Sequence, residues 1–146
     1  MRCVMALSVA WALALPLPAQ DAPAPLPSVT LPPALDRVLR DYERAWEGRD
    51  PKGLAALFTE DGFVLRPGHP PVRGRAEIER VYAGAGGSLS LRALGYAVDD
   101  SAGYIVGAFA GRPGAPDAGK FVLALRRDAS GKWLIAADMD NGNSRP

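Results

Sequence analysis

An apolar residue recurs every third or fourth position from Leu35 to Trp46, through Val38, Leu39, Tyr42 and Ala45. That spacing draws one stripe along an α-helix, with Asp36, Arg37, Arg40, Glu43 and Arg44 on its other side. Pro32 and Pro33 suit the opening turn, where a missing N–H costs nothing, and Gly48 suits the end. A helix with a single apolar stripe must be covered on that stripe. The second half of the chain supplies the cover, because it reads as strands.

Asp50-Pro51 opens a second helix, with a capping side chain ahead of a proline. Its buried edge is Leu54, Leu57 and Phe58, and Asp61-Gly62 is expected to end it in a tight turn. Phe63-Val64-Leu65 then reads as a short strand. Pro67, Pro70 and Pro71 fix φ at three nearby points, so Gly68 and His69 sit on a stiff arch of the sort that rims a site. Gly74 leads into a third helix whose Ile78, Val81 and Tyr82 share a face, and the glycines from 84 to 87 break it.

Beyond that point Leu89 and Leu91 alternate with polar residues, and so do Leu94, Tyr96 and Val98, but with opposite parity. A one-residue shift turns side chains to the other face, so a bulge or sharp bend is expected near Ala93-Leu94. Further strands are expected over Gly103–Ala110, Lys120–Arg127 and Trp133–Asp140, joined by a loop from Gly111 to Gly119 and a hairpin turn at Asp128–Lys132. Three helices, one short strand between them and a four-strand antiparallel meander define an α+β domain.

Ahead of the helix, Arg2 precedes an almost unbroken apolar run from Val4 to Leu15, and Ala19 offers a small residue before Gln20. This pattern is expected to be an export signal over residues 1–19, which would place the protein in the periplasm or outside the cell. The run is too short for a comfortable membrane span, which needs about 20 apolar residues. Residues 20–33 are Pro-rich and without periodicity, so a mobile, extended tether is expected up to about Thr30, with the domain over 34–143. Loss of the leader removes Cys3, the single cysteine, and with it any disulfide. It also removes Arg2, after which 16 basic residues match 16 acidic ones. A neutral chain has no global field to draw nucleic acid or an anionic membrane.

The order of elements, and several residues within it, resembles the nuclear-transport-factor-2-like superfamily, which includes ketosteroid isomerases and SnoaL-like polyketide cyclases. Tyr42-Glu-Arg-Ala-Trp46, Gly48-Arg-Asp50 and Leu54-Ala-Ala-Leu57-Phe58 resemble the first two helices of that group. Glu60-Asp61-Gly62 and the run from Pro67 to Ile78 resemble the link into the third, and Gly131 to Asn141 the final hairpin and strand. The resemblance spans about Leu31 to Asn143. It implies a cone-shaped, cystatin-like α+β barrel, in which a curved antiparallel sheet packs on a long N-terminal helix and two short ones around an apolar pocket. It also implies a homodimer through the outer sheet face. Tyr42 falls where the ketosteroid isomerases carry an oxyanion hydrogen-bond donor. Their catalytic aspartate, just before a proline, is here Arg66 before Pro67, and their second aspartate falls near Leu123. A permanently charged guanidinium cannot take a proton from carbon, so that isomerase chemistry is disfavoured.

Candidate pocket residues are Tyr42, Trp46, Phe58, Phe63, Leu65 and Asp138, and candidate catalytic residues are Asp138, His69 and Tyr42. Tyr42 and Trp46 lie on the helix stripe, where the alternative role is core aromatics with a bonded polar tip. His69 is the single histidine, which rules out a histidine-rich metal site, and its alternative is a surface residue. Asp138 shares strand parity with Leu134 and Ala136, which would turn it inward; the alternatives are a salt bridge to Arg66 or Arg73, or an edge position in water. No Gly-rich phosphate loop, nucleophile elbow or metal-spaced cluster is present, so no cofactor is expected. The expected partner is a small apolar molecule. The leading function is binding of such a molecule, or a dimeric accessory role; the alternative is a cofactor-independent acid/base enzyme of the cyclase, isomerase or dehydratase type. Convergence of Asp138 and Tyr42 on one cavity is what catalysis requires and binding alone does not.

Overall fold

The computed structural model describes residues 24–143, so the expected leader, Cys3 and the start of the tether lie outside the described residues. The elements are α1 (Pro33–Glu47), α2 (Pro51–Ala55), β1 (Phe58–Leu65), β2 (Val72–Arg73), α3 (Arg75–Tyr82), β3 (Ser90–Val98), β4 (Ala102–Ala110), β5 (Gly119–Arg127) and β6 (Trp133–Gly142). They build one curved, open sheet in the order β2-β1-β6-β5-β4-β3, an α+β arrangement as the sequence predicts. The last four strands form the antiparallel meander. β1 joins it through a parallel pairing with β6, which no local pattern announces.

The stripe of α1 is buried at Leu35, Val38, Leu39 and Tyr42, against Ile105, Leu123, Leu125 and Ile135 from the inner sheet face. Its polar side is not left wholly to solvent. Arg37 donates to the Trp133 carbonyl oxygen at 3.0 Å, and Arg40 to that of Leu91 at 2.7 Å. Glu43 in turn accepts the Leu91 N–H at 2.6 Å. The helix is thus tied to β6 and to β3, on opposite sides of the meander.

α2 begins as expected, with the Asp50 carboxylate accepting the Gly53 N–H at 2.8 Å. It ends at Ala55, however, and Phe58 opens a strand instead of closing a helix. Asp61-Gly62 is not the helix-ending turn; it lies inside β1, where the pairing with β6 slips between Phe58 and Phe63. Gly62 is buried there, and a Cβ would stand 3.1 Å from the Ile135 carbonyl oxygen, so glycine lets the neighbouring backbone approach.

Two further bulges set which way side chains point. β3 slips against β4 between Ala93 and Gly95, at the place where the parity of the sequence changes. β6 slips against β5 at Ala136, since Ala124 faces Ala137 while Leu125 faces Ile135. Leu134 therefore lies on the outer face and Trp133 and Ile135 on the inner, and after the bulge the inner set continues with Asp138. Asp138 is inward, but not by the parity it shares with Leu134. The same slip sends Met139 outward, where it is 58% exposed, instead of inward with Trp133 and Ile135. Phe63, Val122 and Tyr104 join it on that outer face, exposed by 36%, 44% and 45%.

Residues 24–32 of the Pro-rich segment form no helix or strand, yet they are pinned instead of mobile. The Val29 N–H donates to the Ala93 carbonyl oxygen at 2.9 Å, Arg92 donates to that of Leu26 at 2.8 Å, and Leu31 is buried. β3 is an edge strand, and this strap occupies part of its unpaired backbone.

Glycines in the meander make room for aromatic rings. Gly107 faces Phe121 and Gly119 faces Phe109 across the strand pair. A Cβ on Gly107 would lie 2.2 Å from the Phe121 ring and 2.5 Å from the Arg92 carbonyl oxygen. Because one of those contacts is backbone, Gly107→Ala should destabilise the domain by about 1–3 kcal/mol. Urea unfolding of the variant against wild type measures this; an unchanged midpoint would show that the strand pair yields freely.

Candidate functional site

Tyr42 lies on the buried stripe of α1, and Asp138 lies on β6 just past the Ala136 bulge, opposite Leu123 of β5. The Tyr42 hydroxyl donates to Asp138 Oδ2 at 2.9 Å across 96 residues of sequence. Both border a cavity of about 120 Å³ between the helix and the inner sheet face. Its walls are aromatic and aliphatic: Tyr42 and Trp46 from α1, Leu89 and Leu91 around the start of β3, Phe109 of β4, and Phe121 and Leu123 of β5. Asp138 and Asp140 are its polar residues apart from the Tyr42 hydroxyl and the Trp46 indole N–H.

The electrostatics follow from that setting. Burial raises the Asp138 carboxyl from 3.8 to about 7, against the opposing pull of the Tyr42 hydrogen bond and with a further push from the negative charge of Asp140. Burial also raises Asp140, while a backbone hydrogen bond and the Arg66 guanidinium draw it back. The Tyr42 hydroxyl is pushed well above its ordinary range by burial and by the neighbouring carboxylate, so it stays protonated and a donor. Tyr82 of α3, buried beside this pair, is raised for the same reasons. Its ring stands edge-on to Trp46, with centroids 5.7 Å apart at 81°, and the Arg66 guanidinium lies 5.8 Å from its centre.

Three of the six predicted pocket residues, Tyr42, Trp46 and Asp138, line this cavity. The other three do not. Phe58 is fully buried in the core opposite Ile135. Phe63 and Leu65 flank the inward Val64, so strand alternation turns them to the outer face, where Arg73 lies over the Phe63 ring. His69 is exposed on its arch, with Nδ1 held 2.9 Å from the Pro67 carbonyl oxygen, and borders a separate surface groove with Arg66 and Arg73. The trio of Asp138, His69 and Tyr42 is therefore not assembled; the histidine is the member left out. Asp138 forms no salt bridge to Arg66 or Arg73 among the described residues, and Arg73 approaches Asp61 instead, at 3.8 Å.

Sequence reasoning missed Asp140, Phe109, Phe121, Leu89, Leu91 and Leu123 as lining residues, and Tyr82 as a neighbour. Asp140 was open to detection, since it shares the parity of Asp138 two residues earlier. Glycines inside the strands were a second signal, because they mark close approach of rings. Among the described residues no group of three or more His, Cys, Asp and Glu side chains is arranged to hold a metal ion.

A family model described as a SnoaL-like domain matches residues 39–134. A ketosteroid isomerase-like protein from Erwinia carotovora atroseptica superposes with a TM-score of 0.67 at 21% identity, over 77% of this chain and 95% of that one. A domain of unknown function with a cystatin-like fold from Nostoc punctiforme gives 0.63 at 17% identity, over 77% and 76%. An NTF-2 like protein of unknown function from Shewanella oneidensis gives 0.60 at 19%, over 73% and 95%. At such identities these likenesses establish the fold alone. No curated protein matches the chain.

The raised Asp138 carboxyl makes stability depend on pH with a definite sign. Between about pH 4 and pH 7 the unfolded chain has lost the proton that the folded one keeps, given the shift from 3.8 to about 7. This contribution is complete below the unfolded value and is lost as pH rises through the folded one, on the order of several kcal/mol in all. Asp138→Asn should flatten that decline, as read by denaturant unfolding at successive pH values. An equal slope in the variant would assign the titration elsewhere.

Proposed function

The chain belongs to the SnoaL-like domain family, and from that premise we propose that it binds a small, largely apolar molecule in the cavity between α1 and the sheet. One polar group of the ligand meets Asp138 and Tyr42. The observation that carries this reading is the convergence of these two hydrogen-bonded side chains on one aromatic-walled cavity. Ligand sites have this composition, apolar walls with a few placed polar groups. The volume of about 120 Å³ favours a single-ring molecule, since a cavity of roughly 150 Å³ takes one of benzene size.

A second reading is favoured by one feature, the elevation of Asp138 to about 7. A general acid or base works best when its pKa lies near the working pH, so this carboxyl suits proton transfer to or from a bound substrate without a cofactor. Tyr42 would then turn its one O–H from Asp138 Oδ2 to the oxygen that gains charge. Arg66 stands where the ketosteroid isomerases, which the chain resembles, carry their base; the base here would be Asp138.

The outer sheet face supports a dimer of this chain. Phe63, Val122, Tyr104 and Met139 lie across four adjacent strands, and monomers seldom leave a large apolar patch bare. Sedimentation at micromolar concentration is expected to give the dimer mass, and Met139→Asp should return the monomer, because the buried charge would lack a partner. A single monomeric species in the wild type would remove this proposal.

The cavity reading is tested by NMR with single-ring compounds carrying one hydrogen-bonding group. Shifts should concentrate at Trp46, Phe109 and Phe121, and Leu123→Trp, which fills the space, should abolish them. Shifts that persist in the filled variant would place binding elsewhere.

A further inference from the structure

The cavity lining is unbalanced in charge. It holds two carboxyl groups, Asp138 and Asp140, and no lysine, arginine or histidine. Asp138 lines the cavity and is 4% exposed, and its one side-chain hydrogen bond among the described residues is the Tyr42 donation to Oδ2, which leaves Oδ1 without a partner there. Neither carboxylate has an ion-pair partner within 4.0 Å among the described residues. The groups that face Asp138 are Tyr42 from α1, Tyr82 from α3, Asp140 on its own strand, and apolar Leu123 on β5 and Val64 on β1. Arg66, which follows β1, acts on Asp140 and on Tyr82 and lines the outside groove instead of the cavity.

We propose that the ligand's polar group is a protonated amine, carried on a single-ring apolar body and paired with Asp138. This rests on the reading of the cavity as a binding site and names the chemistry it selects. An ammonium placed there meets the free Asp138 oxygen as a charge-assisted hydrogen bond. It also lies among the rings of Tyr42, Trp46, Phe109 and Phe121, and an aromatic face that it meets attracts a cation through its quadrupole. An anionic ligand would face Asp138 and Asp140 at close range with nothing in the lining to offset them. A neutral carbonyl ligand accepts a hydrogen bond from Asp138 only while that carboxyl keeps its proton.

The amine and the carbonyl therefore differ in the sign of their pH dependence. An amine binds the ionised carboxylate and tightens as pH rises through the titration of Asp138. A carbonyl loses its donor on ionisation, and an alcohol gains only a neutral O–H donation to the carboxylate, weaker than the contact between two charges that the amine makes. Tyr42 and Tyr82 remain protonated throughout, while Asp140, also raised by burial and drawn back by Arg66, titrates with the same sign as Asp138, so variants at the two positions separate their contributions.

The test is an NMR titration of the full chain with benzylamine, benzyl alcohol and benzoate, at about pH 5 and about pH 8. Benzylamine should bind about tenfold tighter than benzyl alcohol near pH 8, as one charge-assisted contact implies, and the preference should shrink near pH 5. Asp138→Asn should erase the preference, Asp140→Asn should keep most of it, and benzoate should not bind. Equal binding of amine and alcohol near pH 8 would overturn the amine and leave the pocket standing. No shift at the cavity residues from any of the three would overturn the pocket reading as well. The pH dependence is read on the wild type, so the test stands even where a variant folds poorly.

Discussion

A helix lying across the inner face of a sheet creates both the core and the void of this protein. Leu35, Val38 and Leu39 fill the space near the start of α1 and are almost wholly buried. One turn further on, Tyr42 and Trp46 meet a part of the sheet that curves away, and there the packing opens into the cavity. Arg37, Arg40 and Glu43 hold the helix at this angle by bonding sheet backbone at Trp133 and Leu91. These contacts also satisfy backbone groups of the sheet, so they add direction to a position that apolar burial stabilises.

The sheet contributes its shape through defects. Slips at Gly62, Leu94 and Ala136 bend three strands, and each changes which residues face inward. The Ala136 slip has the largest chemical consequence. Without it Asp138 would lie with Leu134 on the outer face, in or near water, with an ordinary acidity. With it the carboxyl is buried against Tyr42 and holds its proton to about pH 7. One extra residue in a strand thus decides whether the site has a titratable group near neutrality.

Rings complete the walls because glycines stand opposite them. Phe121 lies over Gly107 and Phe109 over Gly119, an arrangement in which each ring covers backbone that a side chain would otherwise screen. The same curvature leaves an opposite face with its own apolar residues. Phe63 and Leu65 belong to it, which is why aromatic and aliphatic residues so near the site in sequence lie outside the cavity in space.

Local rules sufficed wherever the signal was periodic and the chain obeyed one period. The amphipathic stripe of α1, the Asp50 cap, the four C-terminal strands and the parity change at Leu94 were all legible, because each depends on neighbours within a few residues. Tyr42 and Asp138 were each legible as candidates, but whether they meet was left open, and the parity argument for Asp138 took the wrong face as the inner one. What the sequence could not decide were the choices made by distant backbone. Asp61-Gly62 has the chemistry of a turn, yet it became a strand bulge because β6 pairs alongside it. The Pro-rich strap has the composition of a free tether, yet Val29 bonds the edge of β3. Ala136 carries no mark of a bulge at all. In each case the deciding partner lies on another strand or segment far along the chain, and local preference yields when a long-range hydrogen bond or a buried face is at stake.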